Sequence, residues 1–212
     1  MGNNLGKDRP YGRQSIRLSE YDYSQPSVYF VTICTQRRKY LFGDVLDGMM
    51  AINKYGFIVH ECWHGIPKHF RNVELDAFVI MPNHLHGILF LADRRGTACR
   101  APTKEKFGKP VATSLPTIIR SFKSAATKCL RDFSGEQKTL FWQRNYFEHV
   151  IRNEESLLKI REYIITNPQR WQFDSENLLC QSRDKFDLWL SSFPKPSNKN
   201  VDPRKTTSCA KN

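Results

Sequence analysis

Runs of apolar residues along the chain change period several times, and the changes mark out elements. Residues 28–34, Val-Tyr-Phe-Val-Thr-Ile-Cys, are dense in β-branched and aromatic side chains and predict a first strand. Between 48 and 66 the apolar positions Met49, Ile52, Ile58, Val59 and Trp63 predict a helix, or a helix interrupted near Gly56. Residues 73–80 predict a second strand and 84–91 a third. The break at Met81-Pro82-Asn83 is short enough for a hairpin.

Residues 93–110 read as a basic loop, carrying Arg94, Arg95, Arg100, Lys104, Lys106 and Lys109. Over 115–132 the helical period sorts the side chains onto two faces. Leu115, Ile118, Ile119, Phe122, Ala126, Cys129 and Leu130 form the core face, and Arg120, Lys123, Lys128 and Arg131 form a cationic one. The latter half of 141–151 predicts a fourth strand. Asn153 then caps a helix whose first turn holds Glu154 and Glu155, suited to the positive end of the helix dipole. Pro168 disfavours helical backbone at Asn167 and should end it. A short docking helix is expected over 186–190, and 195–212 should be disordered.

The order strand, helix, strand, strand, helix, strand, helix is the split βαβ, ferredoxin-like plan. It predicts an α+β fold: an antiparallel sheet with helices on one face and an added C-terminal helix. Three regions follow: a basic and aromatic arm over 1–25, a catalytic-type domain over 26–171, and a polar tail over 172–212.

Charge then narrows the partner. Thirty-three Lys and Arg against 21 Asp and Glu give a net charge of +12, which points first to a polyanion such as nucleic acid. No stretch approaches the length of a membrane-spanning helix, and the first residues lack a signal-type apolar core, so the chain reads as cytoplasmic. Six cysteines without regular spacing read as free thiols in a reducing compartment. His60 and His64 share a helix face, but no second ligand pair follows to complete a zinc site.

The chemistry concentrates at His84-Leu85-His86. Side chains alternate across a strand, so both imidazoles point the same way. Two neutral imidazoles on rigid backbone suit one divalent ion with open positions for a substrate oxygen. Tyr163 and Asn167, four residues apart, share a helix face. Taken alone, that pair reads as a core aromatic and a helix terminator. Beside the histidines, an Asn carbonyl also fits a hard ion such as Mg²⁺ or Mn²⁺, and a tyrosine would stand ready to attack a polarised phosphate.

Seven strings carry a resemblance: Ser15-Ile16-Arg17-Leu18, Tyr21-Asp22-Tyr23, Tyr29-Phe30-Val31-Thr32-Ile33-Cys34-Thr35, Met81-Pro82-Asn83-His84-Leu85-His86-Gly87, Trp142-Gln143-Arg144-Asn145-Tyr146, Glu148-His149-Val150-Ile151-Arg152 and Tyr163-Ile164-Ile165-Thr166-Asn167-Pro168. In this order, across residues 15–171, the chain resembles the REP-associated tyrosine transposases. These belong to the wider His-hydrophobe-His (HUH) endonuclease group, with a single catalytic tyrosine. The resemblance implies that His84 and His86 bind the metal, that Tyr163 is the nucleophile, and that Asn167 completes the metal site. It implies nicking of single-stranded DNA beside a folded hairpin, with a 5′-phosphotyrosine link and a free 3′-hydroxyl. The ion would be Mg²⁺ or Mn²⁺, and a monomer is expected ahead of a dimer. Arg94, Arg95, Arg120, Lys123, Lys128, Arg131 and Arg144 are the expected DNA contacts.

Three other readings compete. An RNA-binding module on the same sheet plan would want aromatic residues where this strand carries histidines. A histidine-triad hydrolase would want a third alternating histidine, and position 88 is Ile. A non-catalytic or domesticated DNA-binding relative keeps every residue named above.

Overall fold

The computed structural model describes residues 26–92, 111–180, 182 and 185–192. The arm at 1–25, the basic loop with Arg94 and Arg95, and the stretch 195–212 lie outside the described residues. The four sheet strands are β1 (Ser27–Cys34), β4 (Val73–Met81), β5 (His84–Leu91) and β6 (Phe147–Ile151), in the order β4-β5-β1-β6 and all antiparallel. That is the expected α+β, ferredoxin-like sheet. β1 and β5 pair over their full length, from Ser27 opposite Leu91 to Cys34 opposite His84.

Period-two alternation splits the sheet into two cores. Tyr29, Val31, Ile33, Leu85 and Leu89 face α1 (Lys54–His64) and α3 (Leu115–Ser134), where Val59, Trp63, Ile118, Ile119 and Phe122 are buried. Phe30, Ile88 and Ile151 face the opposite way and meet Leu157, Ile160, Tyr163 and Ile164 of α4 (Glu154–Thr166). Phe186 of α5 (Lys185–Ser192) joins that second core. Both sheet faces are therefore covered, the second by the added C-terminal helix and α5. Each fully buried Leu, Ile or Phe contributes about 1.5–3 kcal/mol. Gly87 has a packing reason: a Cβ there would land on the ring of Trp63 from α1.

One expected element is corrected. Met49 and Ile52 do not begin a helix; they belong to β3 (Met49–Ile52), which pairs with β2 (Gly43–Leu46) in a separate hairpin. Asp47 (φ 50°) and Gly48 (φ 73°) make the turn, and two consecutive positive φ values match the right-handed twist of the strands. The helix starts only after Asn53, whose side chain accepts hydrogen bonds from the backbone N–H groups of Tyr55 and Gly56. A four-residue helix, α2 (Ile66–His69), leads into β4.

Candidate active site

β4 and β5 are joined by Pro82 and Asn83, with Met81 paired to His84 across the turn. The tight turn fixes where Asn83 points. Its side-chain Nδ2 donates to the carbonyls of Glu176 (2.7 Å) and Arg38 (3.3 Å). Its Oδ1 therefore faces His84 Nδ1 at 2.8 Å. A carbonyl oxygen only accepts, so the His84 proton sits on Nδ1 and the Nε2 lone pair is presented to the site.

His86 is held from the neighbouring strand, with Nδ1 2.9 Å from Thr32 Oγ1. The two Nε2 atoms lie 3.0 Å apart. Two bare lone pairs at that distance repel, so without an ion His86 Nε2–H donates to His84 Nε2 and the Thr32 hydroxyl donates to His86 Nδ1. An ion would claim both lone pairs, with the His86 proton moving to Nδ1 and Thr32 turning to accept it. Burial pushes the His84 imidazole down to about 3, so the ring is neutral at neutral pH.

α4 brings Tyr163 against this pair. Its hydroxyl is 3.3 Å from His86 Nε2 and donates to Asp174 Oδ2 at 3.2 Å. Asn167, at the C-terminal end of α4, donates through Nδ2 to the same oxygen at 2.8 Å. Its own Oδ1 is buried without a hydrogen-bond partner. Asp174 Oδ1 accepts from the backbone N–H of Glu176 at 2.7 Å. Burial by itself would raise the Asp174 carboxyl; the His84 and His86 rings and the Asn167 amide outweigh it and hold the group well below the usual carboxylate range.

The cluster is closed. His84, His86, Asn167 and Asp174 are buried, and Tyr163 is 3% exposed. Phe186 stacks on the Tyr163 ring at 3.7 Å and 11°, and Trp171 lies 5.9 Å from His84, with Tyr40 beyond it. The turn at 174–177 ties these walls together, because Glu176 bonds Arg38 and Cys34 while Asn177 accepts from the Tyr40 hydroxyl.

Sequence reasoning named His84, His86, Tyr163 and Asn167, and the structure brings all four into this cluster. It missed Asp174, which lies beyond Trp171 in the stretch assigned to the tail. It also gave Asn83 and Thr32 no role. Asn83 was legible as the turn residue beside the motif, whereas Asp174 carries no periodic or spacing signal.

The expected DNA contacts on α3 lie elsewhere. α3 covers the opposite sheet face, so its cations sit on the far layer from the cluster. Arg120 and Lys128 are exposed there, with Lys128 bonded to Asp132 at 2.8 Å. Lys123 does not face solvent as the helical pattern suggested. Its ammonium donates to the carbonyls of Gln143 and Asn145, both at 2.9 Å, and burial pushes its pKa down to about 8. Arg131 donates to the Thr139 carbonyl at 3.2 Å. Arg144 is exposed and follows Gln143, whose N–H bonds the carbonyl of Cys34, the residue paired with His84.

No family model matches the chain. It is 40% identical over 168 residues to an uncharacterised protein of Haemophilus influenzae, covering 76% of this chain and 91% of that one. It is 28% identical over 156 residues to a second protein of that organism, described as a "putative REP-associated tyrosine transposase", covering 71% of this chain and 76% of the relative. Among solved structures, a REP-associated tyrosine transposase bound to a REP hairpin aligns with 69% of this chain and 68% of its own, at 20% identity and TM-score 0.46. A "putative transposase" of Deinococcus radiodurans aligns with 76% and 96%, at 15% identity and TM-score 0.40. Both superpositions are partial. The sequence relationship, spanning most of both chains, makes this chain similar to a protein described as a REP-associated tyrosine transposase.

Proposed function

We propose that the chain nicks single-stranded DNA beside a hairpin and becomes joined to the cut end through Tyr163. The observation that carries the reading is the phenolic hydroxyl, 3.3 Å from an imidazole nitrogen and 3.2 Å from a carboxylate oxygen in a closed site. Catalytic tyrosines need such help, because a phenol with a pKa near 10 is a poor nucleophile at neutral pH. As the Tyr163 oxygen bonds to phosphorus, the bond from phosphorus to the 3′-oxygen breaks. The phenol gives up its proton and the departing 3′-oxygen takes one up to become a hydroxyl, so the step balances in protons. One phosphodiester replaces another, so the link can be reversed onto a second 3′-hydroxyl without a nucleotide cofactor.

The donor set fits Mg²⁺ or Mn²⁺. His84 presents its Nε2 and a shift of one proton on His86 presents the second, with side-chain oxygens of Asp174 and Asn167 in the same buried cluster. Such an ion would polarise the scissile phosphate and offset charge gathering on its oxygens. The protein's own part is to orient the phenol and exclude water. With Phe186 stacked on Tyr163, the DNA strand reaches the hydroxyl only after α5 or the turn at 174–177 moves aside.

Tyr163 and both histidines come from one chain, which favours a monomer acting alone. Arg120 on α3 and Arg144, next to Gln143 whose N–H bonds the last residue of β1, would meet phosphates, and Arg94 and Arg95 are proposed as further contacts. Among the described residues no helix is long and apolar enough to cross a membrane. The test is incubation with labelled single-stranded hairpin DNA and Mn²⁺. A protease-sensitive adduct in wild type and its loss in Tyr163→Phe are expected; equal cleavage by both would remove Tyr163 as nucleophile, and binding without any adduct would favour the non-catalytic relative.

A further inference from the structure

His84 Nε2, His86 Nε2 and Asp174 Oδ2 form a triangle with sides of 3.0, 3.7 and 3.6 Å. The point equidistant from its corners lies about 2.0 Å from each, which is the length of a metal–imidazole or Mg²⁺–oxygen bond. Asn167 stands differently towards that point. The atom it turns to Asp174 is Nδ2, a donor that cannot ligate, and reversing the amide would set its oxygen against the carboxylate oxygen.

The same Asp174 Oδ2 is already occupied. It accepts from Asn167 at 2.8 Å and from Tyr163 at 3.2 Å, and two donors fill the lone pairs of one carboxylate oxygen. A metal bond at that atom therefore displaces a donor, and the longer bond is the one to Tyr163. We propose that Asp174 is the third side-chain ligand of the ion, that Asn167 is a positioning residue which holds it, and that taking up the ion detaches the Tyr163 hydroxyl from Asp174. The nucleophile then stays tethered to the carboxylate while the site is empty of metal and is released towards the phosphate as the metal arrives.

The inference rests on the metal-dependent reading above, and its test separates the two. Free Mn²⁺ is followed by electron paramagnetic resonance during titration of wild type, His84→Ala, Asp174→Ala and Asn167→Ala. His84→Ala weakens binding if the metal reading holds; unchanged binding there sinks that reading itself. Given a His84 effect, Asp174→Ala is expected to raise Kd at least about 100-fold, beyond the effect of Asn167→Ala, since losing an outer partner costs about 10–100-fold. An Asp174→Ala affinity within twofold of wild type overturns the ligand assignment.

Direct ligation is read with Co²⁺: Asp174→Cys should give a thiolate-to-cobalt charge-transfer band and Asn167→Cys none, and the reverse result overturns the assignment. Release of the nucleophile is read by fluorine resonance on protein carrying 3-fluorotyrosine, with the Tyr163 signal identified by its loss in Tyr163→Phe. Mg²⁺ should move that signal in wild type and leave it in place in Asp174→Ala. A signal that ignores Mg²⁺ in wild type refutes the release.

Discussion

The histidine at the centre of the cluster makes the metal-free protein acid-sensitive, and the size of the effect follows from its burial. The His84 imidazole titrates at about 3 in the folded chain and near 6.5 once unfolded. Between these values the unfolded state binds a proton that the folded state refuses, so stability is present above pH 6.5 and is lost as the pH falls. Over the window from pH 7 to 4.5 the linkage amounts to about 2.5 kcal/mol. The figure changes little if the folded value moves by one unit, because the folded ring stays neutral throughout the window. Asp174 contributes little there, since its carboxyl is ionised in both states over most of the range. Burial also lowers His64 and His149, so the whole protein loses more than this one residue's share. Urea denaturation of metal-free wild type and His84→Gln at pH 7, 5.5 and 4.5 isolates the contribution. The difference in stability between the two should shrink by about 2.5 kcal/mol on going to pH 4.5. A difference that stays constant across the window would mean that His84 is charged or solvated in the folded state, and the description of the site as a closed, neutral pair would be wrong.

Three further outcomes follow from other contacts. Asn83→Ala frees the His84 ring to choose its tautomer and should weaken Mn²⁺ binding about 10–100-fold in the same resonance titration; unchanged affinity would show that the turn does not orient the ring. Gly87→Ala drives a methyl into the Trp63 ring and should cost about 1–3 kcal/mol in urea denaturation, with a neutral result showing that the helix can shift away. Lys123 titrates at about 8 when folded and 10.5 when unfolded, so its contribution to stability rises with pH between those values, by up to about 3 kcal/mol. Wild type compared with Lys123→Met across that range should show the rise, and a flat difference would place the ammonium in solvent.

The sheet was legible because strand alternation and helix caps leave local marks. The Met81–His84 hairpin and the Asn153 cap are each written in a few adjacent residues, whereas Asn167 keeps helical backbone (φ −56°, ψ −40°) before Pro168 and the chain runs on as a 3₁₀ stretch after the α-helix ends at Thr166. The hairpin at 43–52 was not, since two apolar residues three apart satisfy a helix as well as a strand edge, and only the Asp47-Gly48 turn distinguishes them. His84 and His86 could be paired from spacing alone. Asp174 could not: it arrives from a 3₁₀ stretch after α4, and the Asn167 amide, the Glu176 N–H and the fold of the turn place it, none of which has a period. The cationic face of α3 misled for a related reason. Helical spacing gives direction around an axis, but not which neighbour arrives to cover it, and the 143–145 backbone comes back over Lys123.

The pairing of β1 with β5 has a consequence for how such a chain can change. Cys34 stands opposite His84, Thr32 opposite His86, and Leu85 and Leu89 fill the other side of the same strand. Because direction reverses at every residue, a slip of one position would turn both imidazoles into hydrocarbon and carry Leu85 and Gly87 round to meet the tyrosine. The proposed chemistry and foldability are thus recorded in the same eight residues. A lineage can lose the proposed reaction by substitution and remain folded, but an insertion or deletion within that strand would forfeit both at one stroke.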